Sequence, residues 1–512
     1  MKITHLLYSL LLTILSFSCV NDLGNYDYLP AEEVMGIGIS GIKDTTVVIG
    51  DELVIKPILK NMDDESRYEY LWYAVRQLAG GFLPTRDTLA QTRDLSAVIQ
   101  MEANDYYLVY IIRDPATDLF VSEQVEMKVQ GSKIGAGWYI LKEIDNETDF
   151  DYINPNEDPI LEIPNVLRTQ ATRQDFIDAP ATVGDLQLKG KPRQISYQGG
   201  RYMHEFFRQD GSIAQTLSGQ AIHIISDQEI KTFNASNFYL FKDINNFFYG
   251  MPETVQPQKI YGDAFGDVYF LNAGKLYTIY GMSGNIGKFG YYKTADDIPN
   301  YKLFGEIVPA IMGAMVFDME TNSFLVGTSS GNTLNFLEDQ GAALSPSRNM
   351  NYKLAHLLQR GAFFIDCYVI LQDKNDPQQY YLAYGQSYMG EASNPFVSFR
   401  EIPKSAQMPT ADVFGLPGAG RSIYFAKGNI LNVYIDAENP EKREIEVYRF
   451  PDGETISYIT RPNSNTLAIL TNSSNGWKLY GFKPVGSSWE IETEEPTFVY
   501  TGEGRGHSVI LR

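Results

Sequence analysis

The chain has 512 residues, 44% of them hydrophobic, which is ample for a large core and too long for one ordinary domain, so two or more domains are expected. Lys and Arg total 42 against 63 for Asp and Glu, a formal net charge of -21, which repels nucleic acid and anionic membrane surfaces and sets both aside as partners. With 34 Tyr and 28 Phe against 14 Met, the composition suits strands better than helical bundles, and all-β is the leading class.

At the N-terminus Lys2 precedes an apolar run, LLYSLLLTILSF (Leu6–Phe17), about a dozen residues long and shorter than the ~20 that span a bilayer. The run is read as an export signal over 1–18. Small Ser18 followed by Cys19 is the arrangement of a bacterial lipobox, in which the cysteine thiol is acylated because it is the good soft nucleophile at that spot. Several acyl chains then hold a protein on a membrane far more firmly than one. Cys19 is therefore the expected lipid anchor, although Ser16 stands where a lipobox usually has Leu. Val20 in place of Asp points to the outer membrane, and Asp22 is the sole acidic residue close behind to favour the outer face. The second cysteine, Cys367 in AFFIDCYVIL, reads as a small core residue, and no disulfide framework is implied.

Residues 19–33 read as a lipidated polar tether. From there GIKDTTVVIGDELVIKPIL alternates around Gly50-Asp51, YEYLWYAV places Trp72 inside a strand, and DYYLVYIIRDPATDLFVSEQVEMKV gives two strands about Asp114-Pro115. Strands at this spacing over 34–130 suggest an immunoglobulin-like sandwich with Trp72 in its core. The Gly-rich GSKIGAG, 131–137, is taken as the boundary. Beyond it DVYFLNAGKLYTIY, SFLVGTSSGNTLNFL, SIYFAKGNILNVYI and LAILTNSSNGWKLYGF repeat a strand, a turn with Gly274, Gly331, Gly428 or Gly476, and a second strand. CYVILQDKNDPQQYYLAYG fits between the second and third without the glycine. Hairpins at a period near 50 match β-propeller blades. Residues 131–512 would hold about seven, with an insertion near 150–218, and the terminal GHSVILR can pair with the first blade to close the ring.

Cys19 followed by NDLGNYDY, the YEYLWY strand and the GWYIL opening of the second half resemble the PKD-like lipoproteins of Bacteroidota, over the first ~145 residues best. The resemblance implies an outer-membrane lipoprotein that works beside a SusC/SusD-type importer of oligosaccharides or peptides. It brings no catalytic residues with it.

Motifs that invite enzyme chemistry have simpler explanations in the repeat. GTSSG (Gly327–Gly331) fits a serine-hydrolase elbow with Ser329 as nucleophile, but that motif needs a strand-turn-helix, and here a strand follows. GLPGAGRS (Gly415–Ser422) resembles a phosphate loop with Arg421 where Lys belongs, and a strand follows again. The histidines His5, His204, His223, His356 and His507 lack metal-ligand spacing. Asp145, Glu147, Asp149 and Asp151 alternate in DNETDFD; oxygen ligands so spaced can wrap Ca²⁺, but the expected reading is a solvated loop between blades. A structural calcium ion is the one cofactor considered. The loops NFFYG (246–250) and FGYYK (289–293) are candidate stacking platforms for sugars or peptides.

The resulting expectation is a lipid-anchored, non-catalytic surface protein with an immunoglobulin/PKD-like sandwich and a roughly seven-bladed propeller. It would capture peptides or oligosaccharides, or scaffold a SusC/SusD-type importer. The rival is a propeller hydrolase with carboxylates converging on the central channel, and a periplasm-facing scaffold is the third reading.

Overall fold

The computed structural model describes residues 31–512 apart from 49–50, 63, 77–85, 100, 102–103, 131–133, 177–178, 180, 264–265, 282–286, 311–312, 340–342, 349, 361–363, 388–392, 419 and 437–442. The chain divides into two compact units, Met1–Gly131 and Ser132–Arg512.

The described part of the first unit is a sandwich. One sheet has five strands, in the order Thr45–Val48, Leu119–Gln130, Asn104–Asp114, Glu69–Arg76 and Arg86–Ala90. Glu52–Ile55 pairs with Leu95–Val98, and Gly38–Ser40 with Ile58–Lys60. Thr45–Val48 runs parallel to the end of Leu119–Gln130, so the strands either side of Gly50-Asp51 belong to different sheets and do not form a hairpin. The Asp114-Pro115 turn does join a hairpin, with Asp114 opposite Leu119. Trp72 is fully buried, stacks on Tyr110 at 4.1 Å, and donates its indole N–H to the Thr92 carbonyl at 3.1 Å. A buried indole needs that acceptor, and the tight bend at 92–94 provides it.

The second unit is a seven-bladed propeller, with blades numbered in chain order. Blade 1 comprises Trp138–Ile144, Glu147–Asn154 and Leu161–Ile163, with Arg505–Leu511 from the C-terminus as its innermost strand. Blade 2 is Pro192–Phe207, Ile213–Ser226, Ile230–Asn234 and Leu240–Asp243, and blade 3 is Pro257–Gly262, Val268–Asn272 and Lys275–Ile279. Blade 4 is Val308–Ala310, Gly313–Asp318, Ser323–Thr328 and Asn335–Phe336; blade 5 is Tyr352–Gln359, Ile365–Asp373, Tyr380–Ser387 and Phe396–Ile402. Blade 6 is Val413–Gly415, Ser422–Lys427, Ile430–Ile435 and Glu444–Arg449; blade 7 is Thr455–Asn463, Thr466–Ser473, Gly476–Phe482 and Phe498–Gly502.

Each blade is a sheet pressed between two others, so its middle strands are apolar on both faces and read as unbroken hydrophobic runs. In blade 3, Val268 and Phe270 pack toward blade 2 while Tyr269 and Leu271 pack toward blade 4. Seven apolar clusters result, one at each junction between neighbouring blades, including the 7–1 junction of Ala468, Leu470, Trp477 and Leu479 with Trp138, Ile140, Ile153 and Val509. Cys367 is fully buried in the 4–5 cluster, and burial raises its thiol pKa.

Two sequence expectations need correction. The repeat slips phase at Gly331, which joins the third and fourth strands of blade 4. Its second-to-third turn carries Asn322 at φ 48°, a left-handed position that Asn tolerates and that Gly274 and Gly428 fill in blades 3 and 6. The run DNETDFD is no solvated loop. Asp145 and Asn146 make the left-handed turn of a hairpin, Glu147–Asn154 is a blade strand, and Asp149 and Asp151 are buried. The insertion proper comprises 155–191, with a one-turn helix Val166–Thr169 and a short Thr172–Arg173/Thr182–Val183 pair, together with the outer part of the first hairpin of blade 2.

Candidate functional site

Pieces of that insertion build a cleft at the outer end of blade 2. Thr172 donates its N–H to the Phe238 carbonyl at 3.0 Å and bridges Tyr239, so Arg173, Gln174 and Asp175 run along the outermost strand. The first hairpin of blade 2 breaks register between Gln198 and Tyr202 and continues beyond the sheet, carrying Tyr202, His204 and Phe206 on one face. Tyr202 donates its hydroxyl to the Gly287 carbonyl at 3.0 Å, which tethers the segment bearing Lys288. Between these elements lies a cleft of about 100 Å³ lined by His204, Lys242, Asp243, Asn246, Arg173 and Lys288 among others.

Two side chains that line the cleft, His204 and Lys242, are themselves buried. The His204 ring, 7% exposed, stacks on Phe241 at 4.6 Å and meets Phe206 edge-on at 4.5 Å, and its Nδ1 has no partner. Burial, then Lys242 and Lys288, hold its pKa well below the usual imidazole value, so the ring is neutral. Lys242, 3% exposed, makes no hydrogen bond or ion pair among the described residues; burial, then Lys288, lowers its pKa to about 8 against a weaker opposing pull from Glu205. Arg173 is occupied by Asp175 at 2.7 Å and Asp243 at 3.6 Å.

The two aromatic loops singled out in the sequence meet beside this cleft. Phe289 donates its N–H to the Phe247 carbonyl at 2.9 Å, Tyr249 donates to Phe289 at 2.9 Å, and Phe247, Phe248 and Phe289 sink into the blade 2–3 cluster. That leaves Tyr249 and Tyr291 outward, 65% and 96% exposed, with Lys288 Nζ 5.8 Å from the Tyr249 ring centre. Packing takes the phenylalanines and leaves these tyrosine rings open to solvent.

A second polar cluster lies on the innermost strands. Lys259 of blade 3 pairs with Glu306 at 2.8 Å, and Tyr458 of blade 7 senses both charges. His507 of blade 1 is held to a pKa of about 4 by burial, then by Arg193, Lys259 and Arg505, and its Nδ1 is unpartnered. Residues from blades 1, 2, 3 and 7 interact here because all face the central channel. The carboxylate in this cluster is already held by a lysine, unlike the free pair a glycosidase needs.

Elsewhere the candidate residues serve packing. Ser329 ends the third strand of blade 4 with its Oγ buried near the Tyr269 hydroxyl, and a short strand follows, without a helix. Gly415 packs against Ile459 and Ser422 opens a strand, so Gly415–Ser422 forms no helix-borne loop. His223 is buried between Thr232 and Gln198, both at 2.9 Å, and His356 contacts the Pro409 carbonyl at 3.1 Å. Asp149 takes N–H groups of Phe150 and Leu167 at 2.7 and 2.8 Å; Asp151 takes Lys142 and the Trp477 indole at 2.6 and 3.0 Å; Asp145 and Glu147 face Arg168. Among the described residues no group of three or more His, Cys, Asp or Glu is placed to hold a metal ion, and no helix is long and apolar enough to cross a membrane. His5 and Cys19, with the whole signal and tether, lie outside the described residues.

Residues 19–192 match the model of the PKD-like family. The match begins at Cys19 and runs through the sandwich into blade 1 and the insertion, further than the resemblance in the sequence reached. No curated protein matches the chain significantly. Among solved structures the chain is similar to a quinonprotein alcohol dehydrogenase-like protein from Bacteroides thetaiotaomicron, with TM-score 0.38 and 10% identity over 92% of this chain and 96% of that one. It is also similar to a dihydro-heme d1 dehydrogenase, with TM-score 0.35 and 9% identity over 73% and 76%, and to a Hadza microbial sialidase, with TM-score 0.24 and 8% identity over 83% and 91%. None of these activities is carried to this chain.

Proposed function

We propose that the protein is a lipid-anchored, non-catalytic capture protein of the outer membrane that offers oligosaccharides or peptides to a SusC/SusD-type importer from the cell exterior. The observation that carries the capture role is the blade 2 cleft, where buried Lys242 and buried His204, whose Nδ1 is unpartnered, share a lining with Lys288, which in turn approaches the exposed Tyr249 ring. An apolar ledge beside a few convergent polar groups is how small-molecule sites are commonly built. The anchor rests on the apolar run ending at Cys19, and the importer association on the PKD-like resemblance.

Four measurements test the reading. Cys19→Ser is expected to move the protein from the membrane to the soluble fraction, and protease shaving of intact cells is expected to remove it from wild-type cells. Affinity purification in mild detergent is expected to bring down a barrel transporter with its lid lipoprotein. A glycan and peptide array probed with the full chain is expected to give ligands that Tyr249→Ala weakens, and an array without hits would defeat the capture role. The second reading is a hydrolase, against which the Lys259–Glu306 pairing in the channel speaks; turnover of a bound ligand that Glu306→Gln abolishes would establish it.

A further inference from the structure

The blade 2 cleft also restricts what is captured. Lys242, a residue only 3% exposed, has no hydrogen bond or ion pair to its ammonium among the described residues, so a ligand oxygen entering the cleft can serve as its acceptor. The charges around it do not supply that acceptor. Arg173 takes up Asp175 and Asp243, Asp243 also accepts the Asn245 N–H, and Lys288 repels Lys242 more than Glu205 attracts it. His204 beside it is neutral and presents an unpartnered Nδ1. The cleft, at about 100 Å³, has room for a carboxylate.

We propose that the cleft receives the carboxylate of an acidic oligosaccharide, held by Lys242 and Lys288, while the ring that bears it stacks outside on Tyr249. The assignment rests on the capture reading above and narrows it. Lys288 lines the cleft and also approaches the Tyr249 ring at 5.8 Å, so one residue spans the charged pocket and the platform. A carboxylate is preferred to a hydroxyl because it accepts the ammonium's hydrogen bond and also brings the opposite charge that two neighbouring lysines attract. The net charge of -21 opposes an acidic ligand at a distance, but salt screens it beyond ~8 Å at physiological ionic strength, whereas the cleft acts at contact.

The test is isothermal titration of the full chain with trigalacturonate, neutral galactotriose and triglutamate, on wild type, Lys242→Met, Lys288→Met and Tyr249→Ala. Trigalacturonate is expected to bind at least tenfold more tightly than galactotriose at pH 7. Lys242→Met is expected to erase that margin while leaving galactotriose binding in place, and Tyr249→Ala to weaken both sugars. Removing a buried charge should leave Lys242→Met as heat-stable as wild type; if it does not fold, the same loss is read in Lys288→Met and in wild type between pH 7 and 9.5. Across that range Lys242 discharges among Lys288, Glu205, Arg173, Asp243 and neutral His204. Equal affinity for both sugars, unchanged in Lys242→Met, overturns the acidic preference and leaves capture standing. Lys242-dependent binding of triglutamate above trigalacturonate overturns the sugar. No binding by any of the three overturns the proposal, and the wider array then decides whether capture falls with it.

Discussion

Lys142, Asp151 and Trp477 form one buried unit at the junction where the ring closes. Lys142 and Asp151 are 2.6 Å apart, and the Trp477 indole reaches Asp151 from blade 7 at 3.0 Å. Removing the cation leaves a buried carboxylate without counter-charge, so Lys142→Met is expected to cost ~3–5 kcal/mol. Trp477→Phe loses one charge-assisted hydrogen bond and some packing, for about 1–3 kcal/mol. Urea titrations that ranked the two the other way would contradict this account. Asp149 supplies a pH signature. Burial raises its pKa to about 6 from 3.8, against the backbone N–H groups that lower it. The native state then binds the proton more tightly than the unfolded chain, so this residue's contribution falls as pH rises from about 4 to about 6, by roughly 3 kcal/mol at ~1.4 per unit. His223 works in the opposite sense. Burial lowers its pKa to about 3, so its contribution is complete above the unfolded value of 6.5 and is lost as pH falls from there toward 3. Asp149→Asn should therefore leave a steeper rise of stability with pH between 4 and 6 than wild type, read as denaturation midpoint against pH. Asp149 and Asp151 were not legible as buried in the sequence, because DNETDFD has a loop's composition and the Trp477 that reaches Asp151 lies far along the chain.

The hairpin glycines differ in how tightly they are held. Gly428 sits at φ 60° with nothing near the place of a side chain, so Gly428→Ala meets only the left-handed penalty of ~1–2 kcal/mol. Gly476 sits at φ 114°, and a Cβ there would lie 2.1 Å from the Gly502 carbonyl oxygen on the neighbouring strand. Gly476→Ala therefore adds displacement of that strand and is expected to cost ~3 kcal/mol or more. Equal losses for the two variants in chemical denaturation would show that the neighbouring strand yields freely. The repeat motif was legible because each blade needs a tight turn between strands buried on both faces. Its phase at Gly331 was not, because an Asn fills the left-handed position in blade 4. The candidate site was half legible. The two aromatic loops announced themselves by composition, whereas His204 in HEFFR meets Lys242 of the outer strand only because the hairpin of blade 2 runs on past a register break and lays His204 on Phe241.

At the scale of the molecule, the second unit is a cycle of seven junctions, and no blade holds a complete core of its own. The cycle is closed by the last strand, Arg505–Leu511, which supplies the inner edge of blade 1 and places Val509 in the 7–1 cluster. The closure is reinforced by Gly137 and Arg512, which exchange backbone hydrogen bonds at 3.0 Å in both directions. The sequence anticipated this pairing, since GHSVILR has strand character and no partner nearby in the chain. A chain ending at Gly502 would keep every other strand, yet it would leave Trp138–Ile144 as an exposed edge and open the 7–1 cluster to water. Because each blade is stabilised by both neighbours, the damage should spread around the ring. The truncated protein is expected to bind a hydrophobic dye and to unfold in a broad transition, whereas the sandwich, which has its own core around Trp72 and Tyr110, should still melt cooperatively. A sharp propeller transition at the wild-type temperature in the truncated chain would mean that six complete blades suffice and that the terminal strand is an accessory.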